Sequence, residues 1–285
     1  MSQRMRWLLA LTVSAAFLGL LSPVTAGETR KPAAESLNDL NLEVEALQTL
    51  HALQATRPQM QKLRSLARQT ADKPPVREAA KASEKFRKSL AELRDALAAN
   101  RDDERINKLT DKLDQLRNAD KPELDDDIDI TEEAREQAPK LLRMLTAGQV
   151  AGYLGSYADT IGDPLGRIQE ALEKVRGLKD KEWKETRDQV CEDVGELVAG
   201  LDGDKATEVS DRVRQLLIMA RGLRDEEFKK ERPGLERMAR RIVGDLGPTD
   251  VLRHVMERHL AELLSNPRLS AALEARLKSE TVRKR

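Results

Sequence analysis

Aliphatic residues recur three or four positions apart along most of this chain, and no stretch alternates apolar and polar residues over the length of a strand. Leu40, Val44, Leu47, Leu50 and Leu53 form one series, and Met60, Leu63 and Leu66 the next. Ala79, Ser83, Phe86, Leu90, Leu93 and Leu97 step by four and three; Ile106, Leu109, Leu113 and Leu116 do the same in a different phase. A period of about 3.6 gathers such residues on one helix face, whereas a strand needs a period of two. The expected fold class is all-α. The phase slip falls at Asn100-Arg101-Asp102. Asn tolerates the left-handed conformation that closes a helix, and Asp caps the next one, so a helix hairpin is expected here. Lys73-Pro74-Pro75 ends the earlier segment, because Pro lacks an N–H and restricts the residue before it.

An internal repeat organises the second half. "VRGLKDKEWKETRDQVCEDVGELVAGL" (175–201) aligns with "ARGLRDEEFKKERPGLERMARRIVGDL" (220–246) at an offset of 45. Arg176, Gly177, Leu178, Asp180, Glu182, Lys184 and Arg187 recur as Arg221, Gly222, Leu223, Asp225, Glu227, Lys229 and Arg232. Each unit reads as a helix pair joined at Arg-Gly-Leu, so helix hairpins should be followed by a short array of two-helix repeats of 45-residue period. Residues 249–278 read as a diverged capping pair broken at Asn266-Pro267. Trp183 and Phe228 hold the same place in the two copies, at the head of an apolar series, and are expected to be packing anchors. Pro233 has no counterpart in the first copy and should kink its helix.

The first residues, "MSQRMRWLLALTVSAAFLGLLSPVTA", combine Arg4 and Arg6 with an apolar stretch from Trp7 to Leu21 and small residues at Val24-Thr25-Ala26. This is the pattern of a signal peptide cut after Ala26. The stretch is short for a membrane span, which needs about 20 residues. The expected organisation is a signal peptide at 1–26, a linker at 27–36, N-terminal helical hairpins at 37–120, an acidic linker at 121–130 and a helical-pair repeat domain at 131–285. The expected destination is the periplasm or the extracellular space, with no membrane span once the signal is removed.

Composition narrows the function. Fifty Lys+Arg balance 50 Asp+Glu, and the two signs are interleaved, which argues against nucleic acid as a partner. Cys191 is the only cysteine, so no intramolecular disulfide exists. Beside Val190 and one turn before Val194, it reads as a small buried hydrophobe, with an intermolecular disulfide or a reactive thiol as the sharper alternatives. "KPELDDDIDI" (121–130) can be counted from Asp125 as a calcium loop, with Asp125, Asp127, Asp129 and Glu136 at ligand positions. Ile130 then stands where the sharp turn needs Gly, so a solvated acidic linker leading to a cap at Thr131 is expected instead. His259 and Glu262 read as a surface pair. There is no Gly-rich phosphate loop and no nucleophile elbow, and no cofactor or catalytic set is expected.

Two phrases remain. "MLTAGQVAGYL" (144–154) carries Thr146 and Gln149, and "ATRPQMQKL" (55–63) carries Thr56 and Gln59. Thr at a helix N-cap accepts from the backbone three residues on, and Gln at that position reaches back to the cap's own N–H. Both phrases are therefore expected to start helices. Tyr153 and Tyr157 follow one turn apart among Ala151, Gly152, Gly155 and Ser156, small neighbours that leave room for another chain or for a packed helix.

"LTAGQ" (145–149) and the partial "ATRPQ" (55–59) resemble the L-T-x-x-Q phrases of the Spy/CpxP-type periplasmic stress proteins. The resemblance covers at most Leu40–Ile161, and the 45-residue repeat lies outside that family's plan. It implies a bent-helix, dimeric cradle acting as an ATP-independent chaperone or as a modulator of envelope stress signalling. The function expected is an exported, non-catalytic protein-binding protein whose partner is another protein or a second copy. A structural envelope scaffold is the alternative, and an enzyme comes third.

Overall fold

The computed structural model describes residues 36–70, 81–124, 128–155 and 161–283, and these residues hold helices and no strand. The signal peptide, nearly all of the first linker, Ala79, the Pro74-Pro75 break, Asp125, Asp127 and Tyr157 lie outside the described residues.

The first helices are α1 (Leu37–Ala52), α2 (Arg57–Thr70), α3 (Glu84–Ala98) and α4 (Asp103–Asp120). The turn expected at residues 100–102 is present. Asn100 is left-handed at φ 47, and Asp102 accepts from the backbone N–H of Arg105 at 2.9 Å. Ser83 departs from the expectation. It is not a core position of α3 but its N-cap, accepting from Phe86 N–H at 3.1 Å, so the apolar face begins at Phe86. A hydroxyl offered an unpaired backbone donor gains more there than it would inside an apolar seam.

The chain continues through α5 (Glu132–Leu142), α6 (Ala147–Gly155), α7 (Pro164–Lys174), α8 (Asp180–Ala199), α9 (Gly203–Gly222), α10 (Asp225–Val243), α11 (Pro248–Ser265) and α12 (Leu269–Arg283). Thr131 caps α5 as expected, accepting from Ala134 N–H at 3.2 Å. The helix of α10 continues through Pro233. Among the described residues no helix is long and apolar enough to cross a membrane.

Two apolar clusters form, and they do not divide at residues 121–130. One gathers α1–α6 with α11 and α12; the other gathers α7–α10. Residues 131–285 are therefore not a separate repeat domain. α5, α6, α11 and α12 complete the core begun by α1–α4, and Ser36–Arg285 form one unit. The physical reason lies in α1. It buries Leu40, Val44, Leu47 and Leu50 on one side and Leu42 and Ala46 on others, so a single hairpin partner cannot cover it. α3 and α12 both pack on it. α12 also serves α3: Arg276 Nη1 donates to Leu97 O at 3.0 Å and Ser279 Oγ to Ala98 O at 2.6 Å, satisfying carbonyls at the end of that helix. The break at Asn266-Pro267 is present, but the helices on either side of it join the first cluster rather than extending an array.

The 45-residue repeat falls on α7–α8 and α9–α10. Trp183 and Phe228 are buried at 8% and 3% exposure. The contacts between copies are exchanged. Arg176 pairs with Asp225 and lies 4.3 Å over the Phe228 ring; Arg221 pairs with Asp180 at 2.7 Å and lies 4.8 Å over the Trp183 ring. A reciprocal exchange is what a local two-fold relation produces, whereas head-to-tail stacking would run one way only. α8 and α9 approach closely at Gly195, where a Cβ would lie 2.8 Å from Ala206 O.

Candidate functional site

The two T-x-x-Q phrases, 90 residues apart in sequence, meet in space. Gln54 is left-handed at φ 47 and closes α1, which turns the chain into Thr56 and α2. Gln59 Oε1 then accepts from Thr56 N–H at 2.9 Å and from Thr56 Oγ1 at 2.9 Å. At the start of α6, Gln149 Oε1 accepts from Thr146 N–H at 3.0 Å, and Thr146 Oγ1 accepts from Gln149 N–H at 3.2 Å. Both phrases start helices as expected, and the second makes both arms of a capping box.

The amide nitrogens do what the sequence does not reveal. Gln59 Nε2 donates to Met144 O at 3.0 Å, in the turn before α6. Gln149 Nε2 donates to Leu53 O at 3.0 Å and Gln54 O at 3.2 Å, in the turn before α2. The two amides also bond to each other, nitrogen to oxygen at 3.0 Å. Each glutamine therefore caps its own helix with its oxygen and ties down the other helix's entry turn with its nitrogen. The result is a clasp that holds the start of α2 against the start of α6.

Tyr153 is corrected as a contact for another chain. Its ring is 2% exposed and meets the His259 ring edge-on at 5.7 Å, with Tyr153 Oη 3.2 Å from His259 Nδ1. The small residues around it serve packing within the chain. His259 is accordingly half-buried against Tyr153 rather than in a surface pair, and burial lowers its pKa below the ordinary 6.5. Glu262 bonds instead to Arg258 Nε at 3.1 Å. Cys191 is 1% exposed, and burial pushes its thiol up to about 11. A buried thiol held protonated packs as the small hydrophobe expected from the sequence.

Two concavities lie outside the clasp. A cleft of about 480 Å³ opens where α8, α9 and α11 meet near residues 128–130. Several of its polar groups are already engaged within the chain. Arg258 Nη2 holds Glu196 Oε1 at 2.6 Å, Arg214 pairs with Asp211, Ser210 Oγ donates to Cys191 O at 2.8 Å and Thr207 Oγ1 to Gly203 O at 3.0 Å. Both hydroxyls of the cleft are turned to backbone carbonyls. Among the described residues no group of three or more His, Cys, Asp or Glu side chains is placed to hold a metal ion.

Glu196 at that cleft carries a prediction. Burial raises its pKa from 4.5 to about 7; Arg258 opposes this, and Glu192, Glu262 and Asp193 add to it. A folded pKa above the unfolded one means that the folded protein holds the extra proton. This group's contribution is therefore fully present below about pH 4.5 and is lost as pH rises through about 7. His259, shifted downward, acts in the opposite direction: its contribution is present above pH 6.5 and lost as pH falls. The test is therefore the difference between Glu196→Gln and wild type. Melting temperatures measured across this range should show the variant gaining on wild type as pH rises, and a flat difference would refute the assignment.

The second concavity is a groove of about 430 Å³ between α9 and α10, floored by Met219, Leu223, Leu235 and Met238. Met219 within it and Ile218 beside it are each 50% exposed. The internal repeat supplies a reference. Ile218, Met219, Gly234 and Met238 correspond to Glu173, Lys174, Gln189 and Asp193 in the first copy, so the same face is charged or polar there. Comparison with known protein families, with curated proteins and with solved structures finds no match to this chain.

Proposed function

We propose that the chain is an exported, non-catalytic protein-binding protein that shelters aliphatic segments of its partners without ATP. The observation that carries this reading is the α9–α10 groove, where Met219 and the neighbouring Ile218 stand exposed at positions that are charged in the other copy of the repeat. Methionine is unbranched and polarisable and adapts to partners of varied shape. Exposed apolar surface rimmed by charge, here Glu227, Lys230 and Glu231, is the usual mark of a protein-binding face. The signal-like first 26 residues support export.

The repeat also supplies the variant. Ile218→Glu with Met219→Lys installs the first copy's residues on the same helix face. Wild type should slow the aggregation of several unrelated unfolded proteins at equimolar ratio, and the double variant should lose most of that protection with its melting temperature unchanged. If wild type protects none of them, the structural scaffold takes this reading's place.

A further inference from the structure

We propose that the solvent face of α2 is a docking strip for an acidic polypeptide segment of a partner protein. The chain as a whole is neutral, and α3, α4, α5, α8, α9, α10 and α11 each hold an ion pair within their own length. α2, "RPQMQKLRSLARQT", has no acidic residue and four basic ones. Its apolar residues Met60, Leu63, Leu66 and Ala67 are buried, so the bases turn outward. Arg57, Arg64 and Arg68 lie seven and then four residues apart, which places them along one edge of the exposed face; Lys62 lies at its opposite edge, with Gln61, Ser65 and Gln69 between. Among the described residues, Lys62, Arg64 and Arg68 have no acid within ion-pair reach.

The chemistry selects a peptide over a lipid surface. A helix that binds a bilayer keeps an apolar face for the lipid, whereas α2 has committed its own to the core. The bases are instead interleaved with Gln61, Ser65 and Gln69, which can both donate to and accept from a peptide backbone. Arg64 and Arg68 carry planar forks that match carboxylates two bonds at a time. α2 is about 21 Å long, the span of roughly six extended residues, and alternate side chains of such a segment recur about every 6.6 Å. That spacing is close to the step of about 6 Å between Arg64 and Arg68 along α2. An extended segment with acids at every second position therefore sets two successive acids against Arg64 and Arg68.

The inference concerns a different surface from the α9–α10 groove and is tested apart from it. An alternating Glu-Ser dodecapeptide carrying a fluorophore should bind the full chain, while a Gln-Ser peptide should not. Raising the salt concentration should weaken the binding steeply. Lys62→Gln, Arg64→Gln and Arg68→Gln together should lower the affinity about tenfold, as expected for three exposed charge pairs. Arg237→Gln, Arg240→Gln and Arg241→Gln on α10 change the net charge equally and should leave the affinity unaltered. Circular dichroism melting of both variants confirms that they fold. Failure of the Glu-Ser peptide to bind, equal binding by the α2 variant, or capture of the chain by phosphatidylglycerol vesicles without peptide binding would each overturn the proposal. Lost peptide binding with intact client protection sinks this inference alone; peptide binding without client protection sinks only the groove reading.

Discussion

Truncating Phe228 to Ala should cost about 3–5 kcal/mol of stability, a large part of the roughly 5–15 kcal/mol available to a folded chain. The ring is 3% exposed within the cluster of α7–α10, so its removal loses transfer energy and leaves a cavity. It also leaves Arg176, 4.3 Å over the ring, without its aromatic face. Trp183→Ala should cost a similar amount, because Trp183 stands in the same relation to Arg221. Urea unfolding followed by circular dichroism measures both, with an unchanged slope showing that only stability moved. A loss below about 1 kcal/mol in either variant would show that the four-helix cluster closes over the gap, and the two anchors would not be equivalent.

That equivalence is legible in the sequence because a repeat compares a position with itself. The amino-acid pattern alone identifies Trp183 and Phe228 as anchors, and it also locates the turn at Asn100 and Asp102 and the cap at Thr131. The turn and the cap are local, set by backbone groups within one turn of the residue concerned. What the pattern hides is non-local. An amphipathic face shows that a helix must be covered but not by which partner, so α11 and α12 read as part of an array although they pack into the core of α1–α4. Arg276, which no pattern in the sequence singles out, is 3% exposed and bonds to the end of α3. Ser83 misleads for the reverse reason: its four-residue step matches the apolar series, so a cap counts as core. The two glutamines show the divide within single side chains. Their oxygens follow the local rule, whereas their nitrogens bridge two turns far apart in sequence.

Gln149→Glu separates those two roles and should destabilise the chain by about 1–2 kcal/mol near neutral pH, from hydrogen bonds worth about 1 kcal/mol each. A carboxylate still accepts from Thr146 N–H, so the cap of α6 survives. It cannot donate to Leu53 O, Gln54 O or Gln59 Oε1, and it sets a negative charge against those three oxygens. Gln149→Ala removes both roles and should cost about 2–3 kcal/mol, against about 1 kcal/mol for Thr146→Ala, which touches only the cap. Gln59→Ala and Gln149→Ala combined should cost less than the sum of the two, because each single variant already breaks the bond between the amides; a coupling of about 1 kcal/mol or more is expected from side chains in direct contact. If Gln149→Glu instead melts with wild type and fails only in client protection, the phrase is a recognition site, and the clasp contributes nothing measurable to holding α2 on α6.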